Sequence, residues 1–100
     1  MTWSNLVAVS EMPAGRGLTV RVGDREVALF CIDGEYHAID GRCPHRGGPL
    51  GEGWLENGVV SCPLHGWEFD VKTGKSVNAP DCAVRRFPVR VVDGQIQVCL

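Results

Sequence analysis

The sequence predicts an all-β protein, a small antiparallel β-sandwich or barrel. Three observations carry that expectation. Short runs alternate apolar and polar residues and stop at turn-forming pairs. Thirteen glycines and six prolines punctuate the chain at close intervals. No stretch repeats its apolar residues at the 3.6-residue period over three turns, so no amphipathic helix is expected.

The elements follow in order. Leu18-Thr19-Val20-Arg21-Val22 alternates and ends at the turn pair Gly23-Asp24. Val27 to Ile32 is a dense apolar run that halts at Asp33-Gly34, a strong hairpin signal, with Tyr36-His37-Ala38-Ile39 as the return strand. Glu56-Asn57-Gly58 reads as a hairpin tip between Trp54-Leu55 and Val59-Val60-Ser61. Trp67-Glu68-Phe69-Asp70 alternates into the turn Lys72-Thr73-Gly74-Lys75. Arg86 to Val91 alternates again, and Pro88 inside it suggests an edge position. Asp93-Gly94 then turns into Gln95-Ile96-Gln97-Val98. Residues 41 to 53 are rich in Gly and Pro and read as a long loop, of the kind that tends to carry function.

One domain over residues 1–100 is expected from the length. The hydrophobic share of 44% and charged share of 22% are those of a globular chain and argue against disorder. A net charge of −2 without a basic run gives no nucleic-acid footprint. Five cysteines are an odd count and argue against a complete disulfide framework. The first residues lack a charged start followed by an apolar run, and no stretch approaches the roughly 20 apolar residues that span a bilayer. A soluble protein of the reducing cytoplasm, without a membrane partner, is the expectation.

Two boxes carry the chemistry: Cys43-Pro44-His45-Arg46-Gly47-Gly48-Pro49-Leu50 and Cys62-Pro63-Leu64-His65-Gly66-Trp67. Each joins a thiol to an imidazole at a strand–loop junction, and the Trp54–Ser61 hairpin between them can bring the loops together. Two sulfurs and two nitrogens suit zinc or an iron–sulfur cluster. Zinc sites more often keep like ligands close in sequence. Here each loop holds one of each kind, which suits a binuclear cluster with sulfur on one iron and nitrogen on the other.

The pattern C-x-H followed by C-x2-H resembles the signature of Rieske [2Fe–2S] proteins, and the likeness extends to Gly66, Phe69-Asp70 and Thr73-Gly74. The resemblance implies a Rieske cluster-binding subdomain built from loops at about 41–53 and 62–68. It implies that Cys43 and Cys62 ligate an inner iron and His45 and His65 an outer one. Two ferric ions, two sulfides and two thiolates then sum to zero charge, so the cluster accepts an electron more readily than its all-cysteine counterpart, within roughly −150 to +300 mV. High-potential members carry an extra disulfide and two hydroxyl donors near the cluster. This chain has Gly48 and Leu64 at the disulfide positions and Trp67 and Phe69 at the hydroxyl positions. A low potential with little pH dependence near neutrality follows.

The remaining residues have ordinary expectations. The loop glycines and prolines shape turns and let backbone N–H groups come close to the site. Trp67 is expected to shield the site, and Trp54 to be core. Cys31 fits a buried apolar strand, while Cys82 and Cys99 are expected at exposed positions. His37 reads as structural.

Nothing in the sequence forms a hydrolase, P-loop or dinucleotide motif. The resemblance therefore implies no enzyme but an electron-transfer component: a Rieske ferredoxin passing electrons from an NAD(P)H-dependent reductase to a terminal ring-hydroxylating oxygenase. The alternative within the family is the small subunit of cytoplasmic NAD(P)H nitrite reductase, toward which the C-P-H-R start of the first box leans. The alternative of another class is a zinc-binding structural module.

Overall fold

Four two-residue turns set the registers. In Asp33-Gly34, Asn57-Gly58 and Asp93-Gly94 both residues take positive φ (51° and 80°, 53° and 78°, 51° and 76°), the backbone that type I′ hairpins need. In Gly23-Asp24 only the glycine is positive, at 61°, as a type II′ turn requires. Each turn joins strands whose twist it matches, so each fixes which side chains face inward.

The computed structural model describes residues 2–44, 47–64, 66–79 and 81–100; Met1, His45, Arg46, His65 and Pro80 lie outside the described residues. The strands are β1 (Trp3–Ala8), β2 (Leu18–Val22), β3 (Arg25–Ile32), β4 (Glu35–Asp40), β5 (Trp54–Glu56), β6 (Val59–Ser61), β7 (Glu68–Asp70), β8 (Arg86–Phe87), β9 (Val89–Val92) and β10 (Gln95–Cys99). They form three antiparallel sheets ordered β1-β10-β9, β2-β3-β4-β8 and β5-β6-β7. The all-β expectation holds. Single-turn 3-10 segments at Val9–Glu11 and Leu50–Glu52 are the helical elements among the described residues, and neither is long and apolar enough to cross a membrane.

The apolar run of β3 has a physical reason: the strand is buried on both faces. Val27 and Leu29 enter one core with Ala38, Phe87, Ile96 and Val98, between the first two sheets. Ala28 and Phe30 enter a second core with Ile39, Leu50, Val60, Phe69, Val71, Cys43 and Cys62. That second core joins the four-stranded sheet to the small β5-β6-β7 sheet, and both box cysteines belong to it.

Three expectations need correction, and one strand, β1, is additional to those expected. The single strand Arg86–Val91 is two. Pro88 has no N–H to continue a ladder, so the chain changes sheets there: Phe87 pairs with Ala38 of β4 and Val89 with Val98 of β10. Strand β1 carries no clean alternation because a bulge between Asn5 and Val7 shifts its register. Trp54 is not core but 76% exposed; Leu55 packs inward, and the two-residue period turns its neighbours Trp54 and Glu56 outward. Cys99 is buried and Cys82 half-buried against the second core, where both were expected to be exposed.

Candidate metal centre

The two boxes fold into the same local structure. Arg42 bridges to Pro49, and Ser61 pairs with Glu68, so each box is a hairpin whose loop has six residues, 43–48 and 62–67. In each loop the N–H of the cysteine donates to a carbonyl five residues on: Cys43 to Gly48 at 2.8 Å and Cys62 to Trp67 at 2.7 Å. In each, the cysteine carbonyl accepts from a glycine N–H four residues on, Gly47 at 2.7 Å and Gly66 at 3.0 Å. Both glycines take positive φ, 69° and 73°, which lets the chain turn back without a Cβ penalty. Cys-Pro at the first two positions and Gly at the fifth are thus one conformational instruction, written twice.

The thiol residues sit at the roots of the loops and the tips meet solvent. Cys43 is 1% and Cys62 4% exposed. Pro44, Gly47, Pro63, Leu64 and Gly66 are exposed. His45 and His65, the expected nitrogen ligands, lie outside the described residues; Pro44 and Gly47 around the first and Leu64 and Gly66 around the second are exposed.

The loops touch through Gly48. A Cβ built on Gly48 would stand 2.6 Å from the Cys62 Sγ and 3.1 to 3.2 Å from the Leu64 side chain. Only glycine allows this approach. The contact also places positions 48 and 64 against each other. Beneath them, Phe69 is fully buried and Trp67 packs against the same core; neither offers a hydroxyl.

A third segment, 76–79, braces the second loop, and nothing in the sequence had marked it. Ser76 Oγ donates to the Glu68 carbonyl at 2.9 Å and accepts from the Ala79 N–H at 2.8 Å. The Val77 N–H also donates to the Glu68 carbonyl, at 2.9 Å. Asn78 Oδ1 accepts from the Glu68 N–H at 2.9 Å, and its Nδ2 donates to the Gly66 carbonyl at 3.1 Å. Asn78 is an isolated polar residue in a loop, so only the folded contact reveals it.

Charge is unevenly spread along this part of the sequence. Residues 47–71, which contain the small sheet and the second loop, hold Glu52, Glu56, Glu68 and Asp70 and no lysine or arginine. His37 stands apart from the cysteines, on β4. Burial pushes its imidazole below the ordinary value of 6.5; Glu35 opposes that, and Lys72 and Arg86 add to it. Its Nε2 is buried without a hydrogen bond, which fits a structural residue.

Two thiol residues held in one core, at the roots of two touching loops of matched conformation, fit a group bound from both sides. Comparison with known proteins shows what the chain is similar to. The Rieske [2Fe–2S] domain family matches residues 2–91. The ferredoxin component of the naphthalene 1,2-dioxygenase system of Pseudomonas aeruginosa is 35% identical over 99 residues, covering 98% of this chain and 95% of that protein. The ferredoxin in a complex of reduced oxygenase and oxidized ferredoxin of carbazole 1,9a-dioxygenase superposes with a TM-score of 0.86 at 32% identity, covering 96% and 100% of the two chains. A chain from Mycobacterium tuberculosis, described as the small subunit of an NADH-dependent nitrite reductase, superposes with a TM-score of 0.86 at 30% identity over 97% and 93% of the two.

Proposed function

The chain belongs to the Rieske [2Fe–2S] domain family, and on that premise we propose that it is a cytoplasmic ferredoxin. It would pass single electrons from an NAD(P)H-dependent reductase to a terminal oxygenase. The observation that carries the proposal is the pair of matched loops with Cys43 and Cys62 buried at their roots. Cys43 and Cys62 would hold the [2Fe–2S] cluster from the buried side, and His45 and His65 from the solvent side. When bound, the cluster supplies one-electron redox chemistry at a potential set by its ligands and surroundings.

The chain's own residues do the rest. The Gly47 and Gly66 N–H bonds to the cysteine carbonyls hold both loops in shape. Phe69, Trp67 and Leu50 keep water from the inner side. The exposed tips leave the outer side open to a partner, and an electron carrier needs such an edge with a small, weak contact. Cys31 and Cys82 are thiols without a disulfide and only partly buried, which suits a reducing compartment.

The test is iron and acid-labile sulfide content with the visible spectrum of the purified protein. Two irons and two sulfides per chain are expected in the wild type. Cys43→Ser, Cys62→Ser, His45→Ala and His65→Ala should each lose them. A colourless wild type holding zinc would restore the structural-module alternative. The nitrite reductase reading is favoured by the superposition with the M. tuberculosis chain and by the C-P-H-R start of the first box. Gel filtration of native extract separates the two: a carrier runs alone, a subunit with a large partner.

A further inference from the structure

We propose that Asn78 is a positioning residue for the cluster, acting through the loop 62–67. The proposal rests on Cys62 being a ligand. The Asn78 carboxamide makes three hydrogen bonds at the base of that loop. Its Oδ1 accepts from the Glu68 N–H at 2.9 Å; its Nδ2 donates to the Gly66 carbonyl at 3.1 Å and to the Glu68 Oε1 at 3.2 Å. The partners fix the orientation of the amide: one is an obligate donor and two are obligate acceptors. The role therefore needs asparagine. Aspartate cannot donate, and alanine does neither.

The contact with Gly66 reaches Cys62 directly. The Cys62 main chain is held on one side by the Gly66 N–H, at 3.0 Å, and on the other by the Trp67 carbonyl, at 2.7 Å. Gly66 and Trp67 flank the peptide bond whose carbonyl Asn78 holds. That unit is planar and trans, so holding its oxygen restrains the Cα atoms of Gly66 and Trp67 at its two ends, and the two groups that grip Cys62, the Gly66 N–H and the Trp67 carbonyl, lie one rotatable bond beyond those atoms. Gly66 takes a positive φ of 73°, with open space around it; its own packing does not hold this turn. Asn78 is itself anchored, because its N–H donates to Ser76 Oγ at 3.3 Å while Ser76 Oγ holds the Glu68 carbonyl. The family signature does not contain this residue; the hydrogen bonds single it out.

The experiment compares wild type, Asn78→Ala, Asn78→Asp and the double variant Asn78→Asp/Glu68→Gln. Each is loaded with iron and sulfide and checked for folding by far-UV circular dichroism at the assay temperature. Iron release to excess chelator and the midpoint potential are then measured. Loss of the Gly66 hydrogen bond should speed release about two- to tenfold and shift the potential. Asn78→Asp is isosteric and carries the test if the alanine variant does not fold. In the double variant, glutamine at 68 restores a hydrogen bond to residue 78, while the donor to Gly66 stays absent. Release should therefore remain fast. Its return to the wild-type rate would overturn the role assigned to Gly66. A lower melting temperature with unchanged release and potential would overturn the proposal, leaving Asn78 a purely structural residue. A wild type that binds no iron would instead overturn the ligand reading on which it rests.

Discussion

Replacing Gly48 by alanine should cost the protein its metal, and replacing Gly47 should not. At Gly48 the added Cβ would lie 2.6 Å from the Cys62 Sγ, about 1 Å inside ordinary contact. The Leu64 side chain closes the same space at 3.1 to 3.2 Å. The backbone at Gly48 is not in the left-handed region, so the penalty is purely steric. Overpacking of this kind costs about 1–3 kcal/mol, which at this size lowers the melting temperature by about 5–20 °C. Relief comes from moving the two loops apart, because Cys62 is rooted in the core and cannot withdraw. At Gly47 the situation is reversed. Among the described residues nothing stands within 4 Å of the added Cβ, but φ is 69°, and the left-handed backbone costs an alanine about 1–2 kcal/mol. The two variants should therefore melt at similar, lowered temperatures. Only Gly48→Ala separates the loops, so only it should lose most of its iron. Iron and sulfide per chain, with thermal melts followed by far-UV circular dichroism, measure both quantities. Equal iron in the two variants would refute the view that contact between the loops assembles the site.

Three further outcomes follow from the same geometry. With Trp67 and Phe69 at the hydroxyl positions, voltammetry should place the midpoint potential in the lower part of the roughly −150 to +300 mV range, flat between pH 6 and 8. A potential well above zero that falls across that interval would contradict the assignment of those positions. The His37 imidazole is held below 6.5, chiefly by burial. The unfolded chain therefore binds its proton first, and stability falls as pH drops below 6.5 toward the folded value. Urea midpoints of His37→Gln should lack that part of the slope, and a slope unchanged from wild type would exclude the residue as its source. The acidic segment 47–71 should attract cations to the side of the protein that carries it. Reduction of cytochrome c, a cationic acceptor, should then slow as salt is added, while reduction of anionic ferricyanide should not. The same salt response for both acceptors would mean that these carboxylates do not steer encounter.

Much of this protein was legible in its sequence because its turns are local. Asp33-Gly34, Asn57-Gly58 and Asp93-Gly94 each encode positive φ in two adjacent residues, and the strands around them follow by alternation. The two boxes were legible for the same reason: Cys-Pro and a glycine three residues further on specify a closed loop within six residues. What the sequence hid depends on partners distant in the chain. Strand β1 is held by β10 across the whole length of the protein, and its bulge erases the periodicity that would announce it. Pro88 signals an edge in the sequence but not that the chain changes sheets there. That change depends on β4 and β10 offering places on either side of it. Residue type alone places Trp54 in the core, whereas the two-residue period through Leu55 points it outward, where the structure has it.

The two loops share a conformation but not their surroundings, and the difference bears on how the site works. In both, the glycine at the fifth position turns with open space around it, so the turn alone does not hold its tip. Each loop is fixed at its root, where its cysteine enters the core. The second is held again by the 76–79 segment through Gly66 and Glu68. Glu68 spreads that restraint sideways, since it also accepts from Ser61 Oγ at 3.2 Å on the neighbouring strand. Electron transfer favours such a scaffold, because a site that barely moves between two charge states spends little energy on reorganisation. A rigid root and a braced second loop supply that, and the exposed tips supply the contact. The first loop meets the second at Gly48, against the Cys62 Sγ and the Leu64 side chain, so that contact links the positions of the two cysteines.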